Sequence, residues 1–386
     1  MLPEADTDVT LDITGVVAGG DGIGRDESGR VVFVKGALPG ERVKARLTEQ
    51  RRDFARGVID ELLVSSPDRV AAPCRFVADG CGGCEWQHVA AEAQPRLKRD
   101  LVVDALRRIA RVEEPNVAPC LALPGLGYRT TVRVAIDSVG RPAFRMSESH
   151  DLVTVDDCLV AHPTLAAMLA DGRWPGAKEV VLRVGARTGE TLVELKPRPK
   201  GVVVSSAVHE EVAGRRFQVS AGSFFQIRPD GADALVSLVS DALAAHGART
   251  VVDLYAGVGL FAGTLHDRGF DVRAAVEGGR FATADARVNL VGVCDVVECD
   301  VAKWRGVPVD AVVADPSRRG LMAEGVATVL RCAPRVVVLV SCDVAALGRD
   351  AKLLMAEGFV LEGSTPVDLF PHTPHVEVVS TFKRAD

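Results

Sequence analysis

Cys342 closes the run R-V-V-V-L-V-S at residues 335–341, which reads as a buried parallel strand ending in a polar turn. Open α/β sheets place their chemistry outside the carboxyl ends of such strands. A thiol there is poised for nucleophilic attack. Asp315, in A-D-P-S-R, closes an upstream strand, and Glu377 follows in H-V-E-V-V. Nucleophile, orienting carboxylate and base are therefore expected to converge. A free cysteine is more often a small core hydrophobe, which is how Cys120, Cys294, Cys299 and Cys332 read. Asp315 or Ser317 could equally cap a helix. His372 and His375, in P-H-T-P-H, read as shaping the loop that presents Glu377.

Two further groups carry chemistry. Cys74, Cys81 and Cys84 form C-x6-C-G-G-C, and Cys158 in D-D-C-L-V can add a fourth thiolate. Four thiolates suit a tetrahedral zinc or a four-iron four-sulfur cluster, and spacing does not choose between them. The bland alternative is a set of unrelated buried thiols. The second group is V-V-D-L-Y-A-G-V-G-L-F-A, where an apolar strand carrying Asp253 and Tyr255 runs into Gly257-x-Gly259 and then a helix. The next strand ends in Glu277, where ribose hydroxyls lie in doubly wound nucleotide sites. Asp300, after the third strand, can meet an adenine. The third glycine of a dinucleotide fingerprint is missing, so S-adenosylmethionine fits better than NAD; a plain strand-to-helix turn is the competing reading.

The elements that must position these groups fall into three stretches. Residues 8–65 read as short alternating strands separated by glycine-rich turns, the pattern of a small β-barrel. G-G-D-G-I-G is read as a turn rather than a phosphate loop, because no helix follows it. Residues 90–111 read as an amphipathic helix with Leu97, Leu101, Val102, Ala105 and Ile109 on one face. Strands dominate residues 127–212, including G-V-V-V-S at 201–205. After Phe217, strands alternate with helices at 280–291, 321–332 and 345–358, which predicts an α/β fold with a doubly wound parallel sheet. The expected division is a barrel at 1–66, a β-rich central unit at 67–215 and a Rossmann-like domain at 216–386.

With 386 residues, 47% hydrophobic, the chain is long enough for two or three packed cores. No stretch approaches the roughly 20 apolar residues needed to span a bilayer. The start M-L-P-E-A-D-T-D is acidic where a signal peptide is basic, so a cytoplasmic protein with no membrane partner is expected. Net charge is −6, yet Arg51, Arg52, Arg56, Arg96, Lys98, Arg99, Arg107, Arg108 and Arg111 gather in the first third. Such a face can grip phosphates or be an ordinary solvated surface.

C-x6-C-G-G-C-E-W-Q-H, S-F-F-Q-I-R-P-D, D-L-Y-A-G-V-G-L-F, D-P-S-R-R-G, S-C-D and F-P-H-T-P-H-V-E-V-V occur in this order. Together they resemble the S-adenosylmethionine-dependent RNA uridine-5-methyltransferase family, and the N-terminal barrel resembles a TRAM domain. The resemblance implies Cys342 as nucleophile and Glu377 as base. It also implies Gln226 and Asp315 as contacts to cofactor or uracil, and Gly257 and Glu277 at the methyl-donor site. Cys74, Cys81, Cys84 and Cys158 would hold a four-iron four-sulfur cluster. Phe224 and Phe225 would stack on flipped or splayed bases, or else belong to the core. The substrate would be structured RNA, ribosomal rather than transfer, and the enzyme a monomer. The rivals are a non-catalytic RNA-binding or assembly factor and an RNA cytosine-5 methyltransferase. S-C-D-V stands here where the family has S-C-N-P, D-P-S-R stands for D-P-P-R, and the first cysteine gap is one residue longer. Asp343 is therefore expected to raise the thiol pKa of Cys342, unless Arg318 or Arg349 compensates.

Overall fold

A computed structural model describes residues 8–147, 149–197 and 206–385; the strand expected at 201–205 lies outside them. The N-terminal barrel is closed by β1 (Asp8–Val16), β2 (Gly22–Arg25), β3 (Val31–Lys35), β4 (Arg42–Gln50) and β5 (Phe54–Val64), in the order β1-β2-β3-β5-β4. Alternate residues such as Leu11, Ile13, Val32, Val34, Val43 and Ala45 fill it. G-G-D-G-I-G is not only a turn, since its second half is β2. A Cβ on Gly22 would lie 2.6 Å from the Ala37 carbonyl oxygen, and one on Gly24 would lie 2.5 Å from that of Asp12. The glycines are there because backbones approach closely.

The short helix α1 (Arg75–Ala78) and α2 (Gln94–Arg108) lead into β6 (Thr131–Ile136), β7 (Pro142–Arg145), β8 (Leu152–Thr154), helix α3 (Pro163–Asp171), β9 (Glu179–Val184) and β10 (Thr191–Lys196). These strands form one antiparallel sheet, β10-β9-β6-β7-β8. A hairpin of β11 (Ala207–Val212) and β12 (Arg215–Ser220) spans the expected boundary at residue 215. Then follow α4 (Pro229–Ala245), β13 (Thr250–Leu254), α5 (Leu260–Asp267), β14 (Asp271–Glu277), α6 (Arg280–Asn289) and β15 (Asp295–Glu298). The chain ends with β16 (Ala311–Ala314), α7 (Met322–Arg331), β17 (Val336–Ser341), α8 (Val344–Ala356), β18 (Phe359–Val367) and β19 (Glu377–Arg384).

The large sheet runs β15-β14-β13-β16-β17-β19-β18. It is not wholly parallel, because β19 lies antiparallel between β17 and β18. That reversal positions the site. A parallel strand reaches the carboxyl edge only at its end, whereas β19 begins there. Ser341 pairs with Val378, which sets Glu377 beside the last turn of β17.

The apolar face expected on α2 exists, and it buries Leu97, Leu101, Val102, Ala105 and Leu106 together with Leu339, Leu347, Leu354 and Phe382 of the C-terminal core. Each such Leu, Val or Phe side chain contributes about 1.5–3 kcal/mol on burial. A Cβ on Gly348 of α8 would lie 3.0 Å from the Ala105 carbonyl, so the two helices cross closely there. Residues 94–108 thus pack with the seven-stranded sheet although they precede the central strands. Among the described residues no helix is long and apolar enough to cross a membrane.

Candidate active site and cysteine cavity

Cys342 sits between the end of β17 and the start of α8, half-buried. Burial pushes its thiol up to about 12, with Glu377 and then Asp315 adding to the rise and Arg318 opposing it. The expected effect of Asp343 is not what operates here. Its carboxylate is the N-cap of α8, accepting the Ala346 N–H at 2.7 Å, so its charge serves helix amides. Arg318, not Arg349, is the compensating cation.

Glu377 is 3% exposed, and burial first, then the Asp315 charge, hold its carboxyl well above the usual range. Burial likewise raises Asp315. Two carboxyls are thus brought together near one thiol. Arg318 reaches across from the loop after β16 and donates from Nη2 to His375 Nε2 at 3.3 Å. That loop is tied down at Gly320, whose φ is +78° and whose Cβ position would fall 2.3 Å from Asp350 Oδ2. Asp350 accepts from the Leu321 and Met322 N–H groups at 2.7 and 3.1 Å. His375, read from sequence as a loop-shaping residue, therefore also faces the site, and burial followed by Arg318 lowers it to about 4. His372 does shape the loop: its φ is +66° and its N–H donates to Gln94 Oε1 at 2.6 Å.

The carboxyl ends of β13 and β14 present the polar atoms that a methyl donor would need. Asp253 is fully buried, and its Oδ2 accepts the Ala262 N–H at 2.8 Å at the start of α5. Its Oδ1 has no hydrogen-bond partner. Burial pushes this carboxyl up to about 8. An orphaned acceptor in that place suits an ammonium group. Gly257 has φ +57° and open space where a Cβ would be, and its N–H donates to Glu277 Oε2 at 2.9 Å. Glu277 keeps lone pairs for further donors. Gly259 has φ +96° and a Cβ there would press on Leu290 at 2.8 Å. Asp300 uses one oxygen on the Ala302 N–H at 3.0 Å, while its backbone lies beside Gly278. Tyr255, at φ +61°, sends its hydroxyl toward α7, so that a Cβ on Gly325 would fall 2.7 Å from it. Gln226 is buried in the segment before α4. The residues present fit a nucleoside that carries an amino acid.

Cys74, Cys81, Cys84 and Cys158 line one cavity of about 200 Å³, together with Arg129 and apolar side chains such as Phe76 and Phe144. No group of three or more His, Cys, Asp or Glu side chains among the described residues is placed to hold a metal ion. A single zinc with bonds of about 2.3 Å needs its sulfurs drawn to one point. Four thiols lining one void are the donor set that either zinc or a four-iron four-sulfur cluster takes. Arg129 Nε is buried without a partner; burial pushes the Cys84 and Cys158 thiols up, and this guanidinium partly opposes the rise. Gly82, between Cys81 and Cys84, is set by a close backbone approach: a Cβ there would fall 2.8 Å from the Ser147 backbone.

Phe224 and Phe225 part company. Phe224 is 68% exposed, whereas Phe225 packs on Phe217 with ring centroids 5.8 Å apart. Much of the expected basic face is ion-paired: Arg51 with Glu49, Arg56 with Asp21, Arg96 with Asp68 and Arg108 with Asp104. Lys98 is wholly buried and pairs with Asp368.

Residues 7–59 match the TRAM domain family. An uncharacterized RNA methyltransferase of Streptomyces avermitilis is 34% identical over 97% of this chain and 98% of its own length. A 23S rRNA (uracil(1939)-C(5))-methyltransferase of Methylococcus capsulatus is 33% identical, covering 92% of this chain and 93% of its own. Among solved structures, the Pyrococcus abyssi tRNA (uracil-54, C5)-methyltransferase in complex with S-adenosyl-L-homocysteine superposes with a TM-score of 0.75, at 25% identity, over 97% of this chain and 100% of that one. With these relatives matched over nearly its whole length, and with the thiol and the carboxyls at one sheet edge, the chain belongs to the S-adenosylmethionine-dependent RNA uridine-5-methyltransferase family.

Proposed function

We propose that this RNA methyltransferase makes 5-methyluridine in structured RNA, ribosomal RNA in preference to transfer RNA, through covalent addition of Cys342. The observation that carries the reading is the register of β17 and β19, which sets Cys342 and Glu377 side by side. The ribosomal preference rests on the 33% identity to an enzyme of that specificity.

Carbon 5 of uracil is a poor nucleophile. The Cys342 thiolate adds at carbon 6, and the electron pair of the C5–C6 double bond moves toward O4 as an enolate. S-adenosylmethionine, when bound, supplies an electrophilic methyl that carbon 5 takes up as the carbon–sulfonium bond breaks. Glu377 then removes the proton from carbon 5, the double bond re-forms and the Cys342 sulfur leaves carbon 6 with its electron pair. An ordinary carboxylate is a weak base; burial and the Asp315 charge raise the proton affinity of Glu377 toward the working range. Asp315 would accept from the uracil edge. Asp253 and Glu277 would hold the ammonium and ribose of the donor, with Tyr255, Gly257, Gly259, Asp300 and Gln226 shaping its cleft. Phe224, exposed at the surface, would stack on an unpaired base.

The four cysteines would hold a four-iron four-sulfur cluster, bracing the central β-rich unit between a barrel that contacts RNA and the catalytic domain, in a cytoplasmic monomer. Iron and acid-labile sulfide assays on anaerobically purified protein test this; zinc alone rejects it. The function itself is tested with labelled methyl donor, separate 23S rRNA and tRNA substrates, and nucleoside analysis. Labelled 5-methyluridine in the ribosomal RNA is the expected product. Labelled 5-methylcytidine, or label in tRNA only, overturns the assignment.

A further inference from the structure

Lys98 is 0% exposed, a costly place for an ammonium. Its Nζ donates to the Asp368 carboxylate, and also to the Phe370 carbonyl oxygen at 2.9 Å. Gln94, one turn earlier on the same face of α2, accepts the His372 N–H at Oε1 (2.6 Å). Its Nε2 lies 3.3 Å from His372 Nδ1 and donates to the Val89 carbonyl at 3.0 Å. The Trp86 N–H donates to the His372 carbonyl at 2.9 Å, and the Tyr128 hydroxyl to that of Pro371 at 3.2 Å. Three side chains and one backbone amide from residues 86–128 therefore grip the segment between β18 and β19. Glu377 is the first residue after that segment.

We propose that Lys98, assisted by Gln94, is a positioning residue for the base Glu377, fixing the turn at 368–375 so that the carboxyl meets carbon 5 of the docked uracil. The inference rests on the reading of Glu377 as the base. Its physical reason is that a buried ion pair is poor value for stability alone, since well-packed apolar residues usually do as well. The second hydrogen bond of Lys98, to the Phe370 carbonyl, is what an apolar pair cannot replace. His372 at φ +66° is a backbone that has to be held.

The test replaces the pair together, Lys98→Met with Asp368→Leu, so that no charge is left buried alone. Hydrogen exchange of the amides at 368–378 reads the clamp directly, and is expected to quicken at least tenfold while α8 and β17 stay protected. Turnover is expected to fall at least tenfold, with a denaturant-resistant adduct between Cys342 and RNA already methylated at carbon 5 building up, because addition and methyl transfer continue while proton removal lags. Unchanged exchange, or turnover and adduct falling together, overturns the proposal. Where the double variant does not fold, Gln94→Leu is judged by the same two readouts. Glu377→Gln run alongside separates the two readings: if it turns over normally, Glu377 is not the base, whatever the exchange data say of the clamp.

Discussion

Asp253 offers the sharpest thermodynamic prediction. In the folded protein without ligand its carboxyl titrates at about 8 against an ordinary value of 3.8, chiefly through burial. The unfolded chain releases this proton near pH 4 and the folded protein keeps it to about pH 8. Between those limits the native state binds one more proton, so stability falls by about 1.36 kcal/mol for each pH unit gained and levels off above pH 8. From pH 5 to pH 7 the loss is about 2.7 kcal/mol, or roughly 5–10 °C in the unfolding midpoint of a domain of 150–250 residues. Asp253→Asn cannot ionise, and its amide oxygen still accepts the Ala262 N–H. Thermal unfolding of both proteins across this range should show the variant gaining on the wild type by that margin. Saturating S-adenosylhomocysteine should flatten the wild-type slope, because a cation at Oδ1 stabilises the carboxylate, and should bind the variant more weakly. Parallel curves for the two unliganded proteins would refute the reasoning.

Three further outcomes are expected. Alkylation of Cys342 by iodoacetamide, followed by peptide mass spectrometry, should rise about tenfold per unit from pH 7 to 10 without a plateau, because the thiolate is the nucleophile and the thiol sits at about 12; Arg318→Ala should slow it further, and a plateau near pH 8 rejects the assignment. Asp343→Asn should leave that profile unchanged, since asparagine also caps, while Asp343→Ala should cost about 1 kcal/mol by chemical denaturation; a tenfold faster alkylation in the asparagine variant would show that Asp343 does charge the thiol. Leu101→Ala should cost about 2–5 kcal/mol and expose amides of α8 and β17 to exchange rather than those of β6 and β9, an outcome reversed if α2 belonged energetically to the central sheet.

What was legible in the chain beforehand, and what was not, divides along a physical line. Strand ends carrying Asp253, Glu277, Asp315 and Cys342 could be found because a fully buried strand is a continuous apolar run and its polar terminus marks the sheet edge. The direction of β19 could not. Its run, E-V-V-S-T-F-K-R, is buried nearly to its end, and a strand covered on both faces has no pattern that says which way it points. Yet that direction delivers Glu377 to Cys342. Amphipathic spacing likewise identified the buried face of α2 but not its partner, since an apolar stripe specifies only that something apolar covers it. Basic residues were countable, but whether each is free is a question of three-dimensional neighbours. Arg96 and Arg108 are paired on the surface, and Lys98 lies inside. The same limit applies to Asp343: beside a thiol in sequence, its charge was assigned to the nearest reactive group, whereas the first turn of α8 offers unsatisfied N–H donors closer to hand. A carboxylate three residues before an open amide goes to that amide, and the thiol responds instead to carboxyls that are distant in sequence.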